Sequence, residues 1–158
     1  MALLLLTACG RLGFQNWLAS FRYPADPRNP YVYAQTSPDF LRLVTRVGDV
    51  SRIHADRERM LIAVVAGPYE QWPLPWYLRS MERVGYWTSV PDVGPLDRMP
   101  FIVAGPDFAD EVAASLGDRY VSEYYGLRPG VLLTVFIERD LWARFMGSGR
   151  ITDHGSRR

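Results

Sequence analysis

Apolar positions along the chain fall into stretches of two kinds, some at helical spacing and some continuous. Phe40, Leu43, Val44, Val47, Val50 and Ile53 recur at helical spacing behind Ser37-Pro38-Asp39. There Ser serves as N-cap, Pro takes the first helical position and Asp lies near the positive end of the dipole. The charged run Asp56–Arg59 is expected to end this helix. Met60–Ala66 is continuously apolar and contains Val64-Val65, the mark of a strand buried on both faces. Phe101–Ala104 has the same character. Between them, a helix is expected from Leu74 or Pro75 to about Val84, a short strand from Gly85-Tyr86-Trp87, and a loop over Pro91–Pro100. Asp107–Leu116 predicts a short amphipathic helix with Phe108, Val112 and Leu116 in register. Arg119–Tyr125 and Val131–Glu138 are β-rich and flank Leu127-Arg128-Pro129-Gly130, which predicts a hairpin. Asp140 is expected to cap a last helix through Phe145.

The two apolar strands share an echo. Val64-Val65-Ala66-Gly67-Pro68 and Ile102-Val103-Ala104-Gly105-Pro106 each run from strand through Ala-Gly-Pro toward a helix. Two such units imply neighbouring parallel strands joined by crossover helices, with the hairpin adding antiparallel strands at one edge. The expected architecture is a three-layer α/β sandwich with a mixed sheet, Rossmann-like, with parallel strands at its centre. Small residues and Pro are common at such junctions, so the echo speaks for topology more than for function.

Three segments are expected: a membrane-helix stub and linker over 1–30, a single α/β domain over 31–146, and a disordered tail over 147–158 rich in glycine, serine and arginine. The stub is Met1–Leu6 with Thr7-Ala8-Cys9-Gly10. Leu6-Thr7-Ala8-Cys9 fits the pattern at which bacterial lipoproteins are cut and lipidated, yet the basic start and the apolar length of a secretory signal are missing. A truncated membrane helix, an ordinary buried or frayed N-terminus and a mis-started lipoprotein signal all remain open. Arg11–Pro30 reads as a mixed linker, with Pro24, Pro27 and Pro30 against regular structure.

Composition narrows the chemistry. The 158 residues carry 18 basic and 17 acidic side chains, a net charge of +1 that gives no field for a nucleic-acid backbone. Every basic residue is Arg, which removes Schiff-base lysines and a phosphate-loop lysine. One cysteine, Cys9, excludes an internal disulfide framework and a thiolate zinc cluster. Neither strand is followed by Gly-x-Gly-x-x-Gly, a Walker pattern or Gly-x-Ser-x-Gly. His54, near a helix end, reads as solvated, and His154 lies in the tail. Asp107, Asp110 and Glu111 are expected in one first turn, where the helix dipole accounts for them. No catalytic set, metal site or cofactor is implied.

What stands out is Gly67-Pro68-Tyr69-Glu70 followed by Gln71-Trp72-Pro73-Leu74-Pro75-Trp76-Tyr77-Leu78-Arg79. This loop leaves the C-terminal end of a buried strand, where open α/β sheets place ligands. Trp72 and Trp76 offer flat faces for a sugar ring or isoprenoid, and Glu70 and Arg79 could bind hydroxyls or a phosphate. Asp107 is expected on the same rim. Alternatively Trp76, Tyr77 and Leu78 pack the helix on the sheet while the prolines stiffen its entry. Arg128, in Tyr124-Tyr125-Gly126-Leu127-Arg128-Pro129-Gly130, is a further ligand candidate or simply part of the hairpin turn.

Asp26-Pro27-Arg28-Asn29-Pro30-Tyr31-Val32-Tyr33-Ala34-Gln35-Thr36-Ser37-Pro38-Asp39, Trp72–Arg79 with Gly85-Tyr86-Trp87, and Tyr125–Val131 with Arg139-Asp140-Leu141-Trp142 together resemble the C-terminal soluble region of the flippase-activity-associated family. Those are polytopic membrane proteins similar to the dolichyl-phosphate-mannose protein mannosyltransferases of glycosyltransferase family 39. The likeness spans roughly Trp17 to Phe145. In such enzymes the catalytic carboxylate lies in an early extracytoplasmic loop between membrane helices, so the resemblance implies an accessory domain and carries over no catalytic residue. It implies a membrane-embedded glycosyltransferase-like partner region, in the same or a separate chain, and a lipid-linked sugar or sugar phosphate. It also implies membrane association on the extracytoplasmic face, against Arg11, Arg22 and Arg28, which by flanking the apolar stub point to the cytoplasmic side. A free-standing Rossmann-like small-molecule or nucleotide binder and a purely structural interaction domain are the alternatives.

Overall fold

A computed structural model describes residues 2–17 and 36–155. The linker motif Asp26–Gln35 and the family-like residues within it lie outside these described residues. Helix α1, Ala2–Trp17, is 16 residues long and ends with Phe14 and Trp17 stacked at 6.4 Å between ring centroids. At 1.5 Å per residue it covers about 24 Å, less than the hydrocarbon core of a bilayer. Among the described residues no helix is long and apolar enough to cross a membrane. The helix takes in Arg11–Trp17, which the sequence assigns to the linker.

Helix α2, Pro38–Ile53, begins where the Ser-Pro-Asp signal puts it. Ser37 is the N-cap, its side chain accepting from the backbone N–H of Asp39 and Phe40. The helix stops at Ile53, before the charged run, with His54 as C-cap. His54 is partly exposed: its side chain keeps 18% of its surface in solvent and its Nδ1 accepts the Asp56 N–H at 3.1 Å. Strand β1, Ile62–Val65, is buried at all four positions, and Met60 and Ala66 beside it are buried as well. Two short helices follow, α3 (Pro68–Gln71) and α4 (Leu74–Tyr77), and then β2 (Val84–Trp87).

The helix expected as far as Val84 is therefore only four residues long. Tertiary bonding explains the difference. Beyond Tyr77 the chain must return to the start of the sheet, where the Glu82 N–H donates to the Glu58 carbonyl and the Ile62 N–H to the Arg83 carbonyl. Those backbone groups bond to the entrance of β1, so they cannot continue a helix.

Strand β3 is Phe101–Ala104 and α5 is Ala109–Leu116. Asp107 precedes α5, and only Asp110 and Glu111 occupy its first turn. The hairpin consists of β4 (Tyr120–Arg128) and β5 (Val131–Glu138). Gly130 takes φ +80° at its turn, a conformation that a β-carbon would oppose. Helix α6, Arg139–Gly155, begins one residue before Asp140 and runs past Phe145. Once anchored, a helix gains one hydrogen bond for each residue added, so the glycines here do not enforce a stop at the expected point.

The five strands form one mixed sheet in the order β2-β1-β3-β5-β4. Strand β1 pairs in parallel with both β2 and β3, with Ile62 opposite Val84 and Phe101. Strand β5 runs antiparallel to both β3 and β4. The protein is thus a mixed α/β fold, and the two continuously apolar segments are adjacent parallel strands in the sheet interior, as predicted. The crossovers differ from expectation. The link from β1 to β2 is two single-turn helices, and that from β2 to β3 is a pair of 3₁₀ turns, Pro91–Val93 and Leu96–Arg98.

Alternation along each strand divides the core into two clusters. Ile62, Val64, Phe101 and Val103 pack with Phe40, Leu43 and Val47 of α2, Leu74 of α4 and Leu141 of α6. Ala63, Val65, Ile102 and Ala104 pack with Val93 and Leu96 of the crossover and with Val112 and Leu116 of α5.

Candidate functional site

The C-terminal ends of β1 and β3 bring the two Ala-Gly-Pro turns into contact. The Gly105 N–H donates to the Val65 carbonyl at 2.8 Å, and a β-carbon at Gly105 would stand 3.0 Å from that of Ala66. The repeated small residues are the condition for this close approach. Glu70 fills the space left. Its Oε2 accepts the Gly67 N–H at 3.2 Å and would lie 2.6 Å from a β-carbon on Gly105. The half-buried carboxylate therefore closes the first turn of α3 while lying against the turn that leads to Asp107. Asp107 itself is exposed just beyond.

Gln71, a motif residue whose role nothing in the sequence signals, ties the strand ends together. Its Nε2 donates to the Ala66 carbonyl at 2.8 Å and to the Trp87 carbonyl at 3.0 Å. With its amide occupied inward, the aromatic residues on either side project into solvent. Tyr69 is 85% exposed, and Trp72 and Trp76 are each 60% exposed. The packing alternative for Trp76-Tyr77-Leu78 divides accordingly. Leu78 is buried and Tyr77 packs edge-on to Phe40 at 5.2 Å, whereas Trp76 faces away from the core.

Arg79 is joined to Trp76. Its guanidinium carbon lies 4.6 Å from the indole centroid, and its Nη1 donates to the Trp76 carbonyl at 2.7 Å. This pair sits at the end of α4, where the chain turns toward β2. Arg128 comes from the other side: Nη1 at the hairpin tip donates to the Tyr69 carbonyl at 3.1 Å. Among the described residues neither Arg79 nor Arg128 forms an ion pair with a carboxylate. The six sequence candidates thus resolve into three groups: Glu70 with the turn before Asp107, Trp76 with Arg79, and Arg128 with the α3 loop that leads to Trp72.

A second cluster has no counterpart in the sequence reading. Arg46 on α2 bonds Glu123 through Nε at 3.0 Å and Nη2 at 3.2 Å, and Nε also donates to the Tyr125 hydroxyl at 3.2 Å. Its guanidinium lies 5.2 Å from the ring of Trp142 and 4.8 Å from that of Phe145. Burial lowers the Arg46 pKa, but the Tyr125 and Glu123 contacts outweigh it and hold the group above its ordinary value. Burial pushes the Tyr125 phenol up. The only sequence signal was the i, i+3 pair Trp142 and Phe145, because Glu123 lies 77 residues from its partner.

Open grooves are present among the described residues. One of about 430 Å³ is lined by Pro91, Leu96, Asp97, Glu111, Ser115 and Arg119, and one of about 230 Å³ by Arg42, Thr45, Arg46, Asp49 and Tyr125. Neither includes a sequence candidate. Among the described residues no three His, Cys, Asp or Glu side chains group as metal ligands. What the aromatic and arginine groups can offer is stacking and charge, without a nucleophile or a poised acid–base pair. No known family model, curated protein or solved structure matches this chain.

Proposed function

We propose that this protein is a non-catalytic accessory domain of a membrane glycosyltransferase-like, flippase-associated system, and that it helps to hold a lipid-linked sugar by its phosphorylated headgroup. One observation carries this: Arg79, outside any ion pair among the described residues, stacks on the exposed Trp76. A planar cation beside a flat apolar face suits a phosphate joined to a sugar ring. The sequence resemblance supplies the class of system, with the membrane-embedded region as partner and the extracytoplasmic face as the setting. We take the fold to be a Rossmann-like three-layer sandwich, supported by helices packed on both faces of a sheet with parallel central strands.

A soluble sugar 1-phosphate titrated into the full chain, with tryptophan fluorescence and calorimetry as readouts, tests the proposal. A charged hydrogen bond contributes about 1.5–3 kcal/mol, so Arg79→Ala should weaken binding about tenfold or more. Because Arg79 and Trp76 are exposed, the thermal midpoint should stay nearly unchanged. No binding at millimolar headgroup would overturn it.

A further inference from the structure

We infer that the corner where the α3 loop, the β4–β5 hairpin tip and the start of α2 meet seats on the interface of a lipid bilayer. Three facts converge on this corner. The first is contiguity. The Ser37 N–H donates to the Leu127 carbonyl at 2.9 Å, and the next residue, Arg128, reaches the Tyr69 carbonyl. Three segments distant in sequence are thereby held at one end of the sheet.

The second is chemistry. Tyr69 and Trp72 are exposed here, with Leu132 half-exposed beside the hairpin turn. Tyr and Trp are the side chains that settle at membrane–water interfaces, where the ring is apolar and the polar edge stays wet. Arg128 adds a cation for lipid phosphates. Asp39 is occupied by the Gly126 N–H at 2.7 Å, and Asp107 and Asp110 stand at the α5 side of the same end. Ring burial therefore leads, and charge assists. The opposite end of the sheet contrasts sharply. It carries the exposed side chains of Arg57, Glu58, Arg59, Glu82 and Arg83, with Arg59 and Glu82 paired at 3.7 Å, and among the described residues of these segments no large hydrophobic side chain is exposed.

The third is the direction from which the chain arrives. Residues 18–35 connect α1, with its Leu3–Leu6 run and its stacked Phe14 and Trp17, to Ser37 at this corner. The chain thus enters the domain at this end, and a connection of 18 residues, which can span up to about 60 Å, leaves α1 within reach of the same surface. For its choice of a membrane as occupant the inference rests on the function proposed above, and it adds the orientation in which a lipid-borne headgroup would be met.

The test uses the full chain with Cys9→Ser and one new cysteine, Trp72→Cys at the corner or Ser115→Cys near the far end of α5, each carrying an environment-sensitive fluorophore. Vesicles of phosphatidylcholine and phosphatidylglycerol, with no sugar-bearing lipid, are added with and without a lipid-attached nitroxide. The label at 72 should shift to the blue and be quenched, while the label at 115 should do neither. Arg128→Gln should lower partitioning about fivefold, the effect of removing one basic side chain near an anionic surface. Failure to bind vesicles, or equal responses at 72 and 115, overturns the inference. Soluble headgroup binding without insertion at 72 would sink the membrane seating alone, and insertion without headgroup binding would sink the proposed function alone.

Discussion

Ser37→Ala should destabilise the domain by more than the loss of a helix cap. The hydroxyl oxygen accepts the N–H of Asp39 at 3.1 Å and that of Phe40 at 3.3 Å, so its removal leaves the first turn of α2 without a side-chain acceptor. In ordinary hosts this costs about 1 kcal/mol. The same hydroxyl donates to the Gly126 carbonyl on β4, beside the point where the ladder slips between Gly126 and Arg128. Losing a part-buried hydrogen bond of that kind costs roughly 0.5–1.5 kcal/mol more. The expected total is about 2 kcal/mol, which in a domain of this size lowers the thermal midpoint by roughly 5–10 °C. Denaturant melts should show a lower midpoint with an unchanged slope. Ser37→Asp separates the two contributions. A carboxylate still accepts from the helix N–H groups but cannot donate to Gly126, so it should retain the cap and lose the tether. A Ser37→Ala cost below about 0.5 kcal/mol, less than a cap alone contributes, would refute the reasoning. So would a cost for Ser37→Asp equal to that of Ser37→Ala.

Three further outcomes are expected. A β-carbon at Gly85 would stand 2.0 Å from the Trp87 indole, so Gly85→Ala should displace that ring and cost about 1–3 kcal/mol, read as a changed tryptophan emission and a lower midpoint. Burial pushes the phenols of Tyr86 and Tyr120 up to about 12. Each folded-state pKa lies above the unfolded value near 10, so the neutral form favours folding. Their stabilisation should be complete below pH 10 and lost toward pH 12, and ultraviolet titration of Tyr120→Phe should show one fewer late-ionising phenol. Arg46→Ala should loosen α6 from α2, seen as faster amide exchange around Trp142 and Phe145, while β1 and β3 remain protected.

The parts of the fold legible in the sequence are those that local rules dictate. The Ser37 cap, the 3.6-residue stripe of α2, the two doubly buried strands and the Pro-Gly hairpin each carry their instructions within a few residues. What escaped depends on partners far along the chain. Nothing near Leu78 shows that Glu82 bonds to Glu58, so the length of α4 could not be read. The Ala-Gly-Pro echo was visible, but its meaning lies in two backbones meeting at Gly105 and Ala66. At the candidate site the residue types were legible and their directions were not. Trp76 and Tyr77 are neighbours in sequence, yet one faces solvent and the other packs on Phe40. Arg46 reads as one charge on a polar helix face until Glu123, Tyr125 and two aromatic rings are brought to it.

The clasp between α2 and the hairpin has a consequence for the order in which the domain can complete itself. Helix α2 is the first element of the α/β domain to leave a ribosome, and although it also packs on β1, β3 and the turn at Arg57–Arg59, much of its contact is with β4 and α6, which are made late. Ser37 and Gly126 are 89 residues apart, and that long loop must close before their bond can form. During synthesis the apolar face of α2 and the inner faces of β1 and β3 wait together for the hairpin. The chain should therefore acquire its protected core in a single late step rather than element by element, and its slowest folding event should track the docking of the C-terminal hairpin.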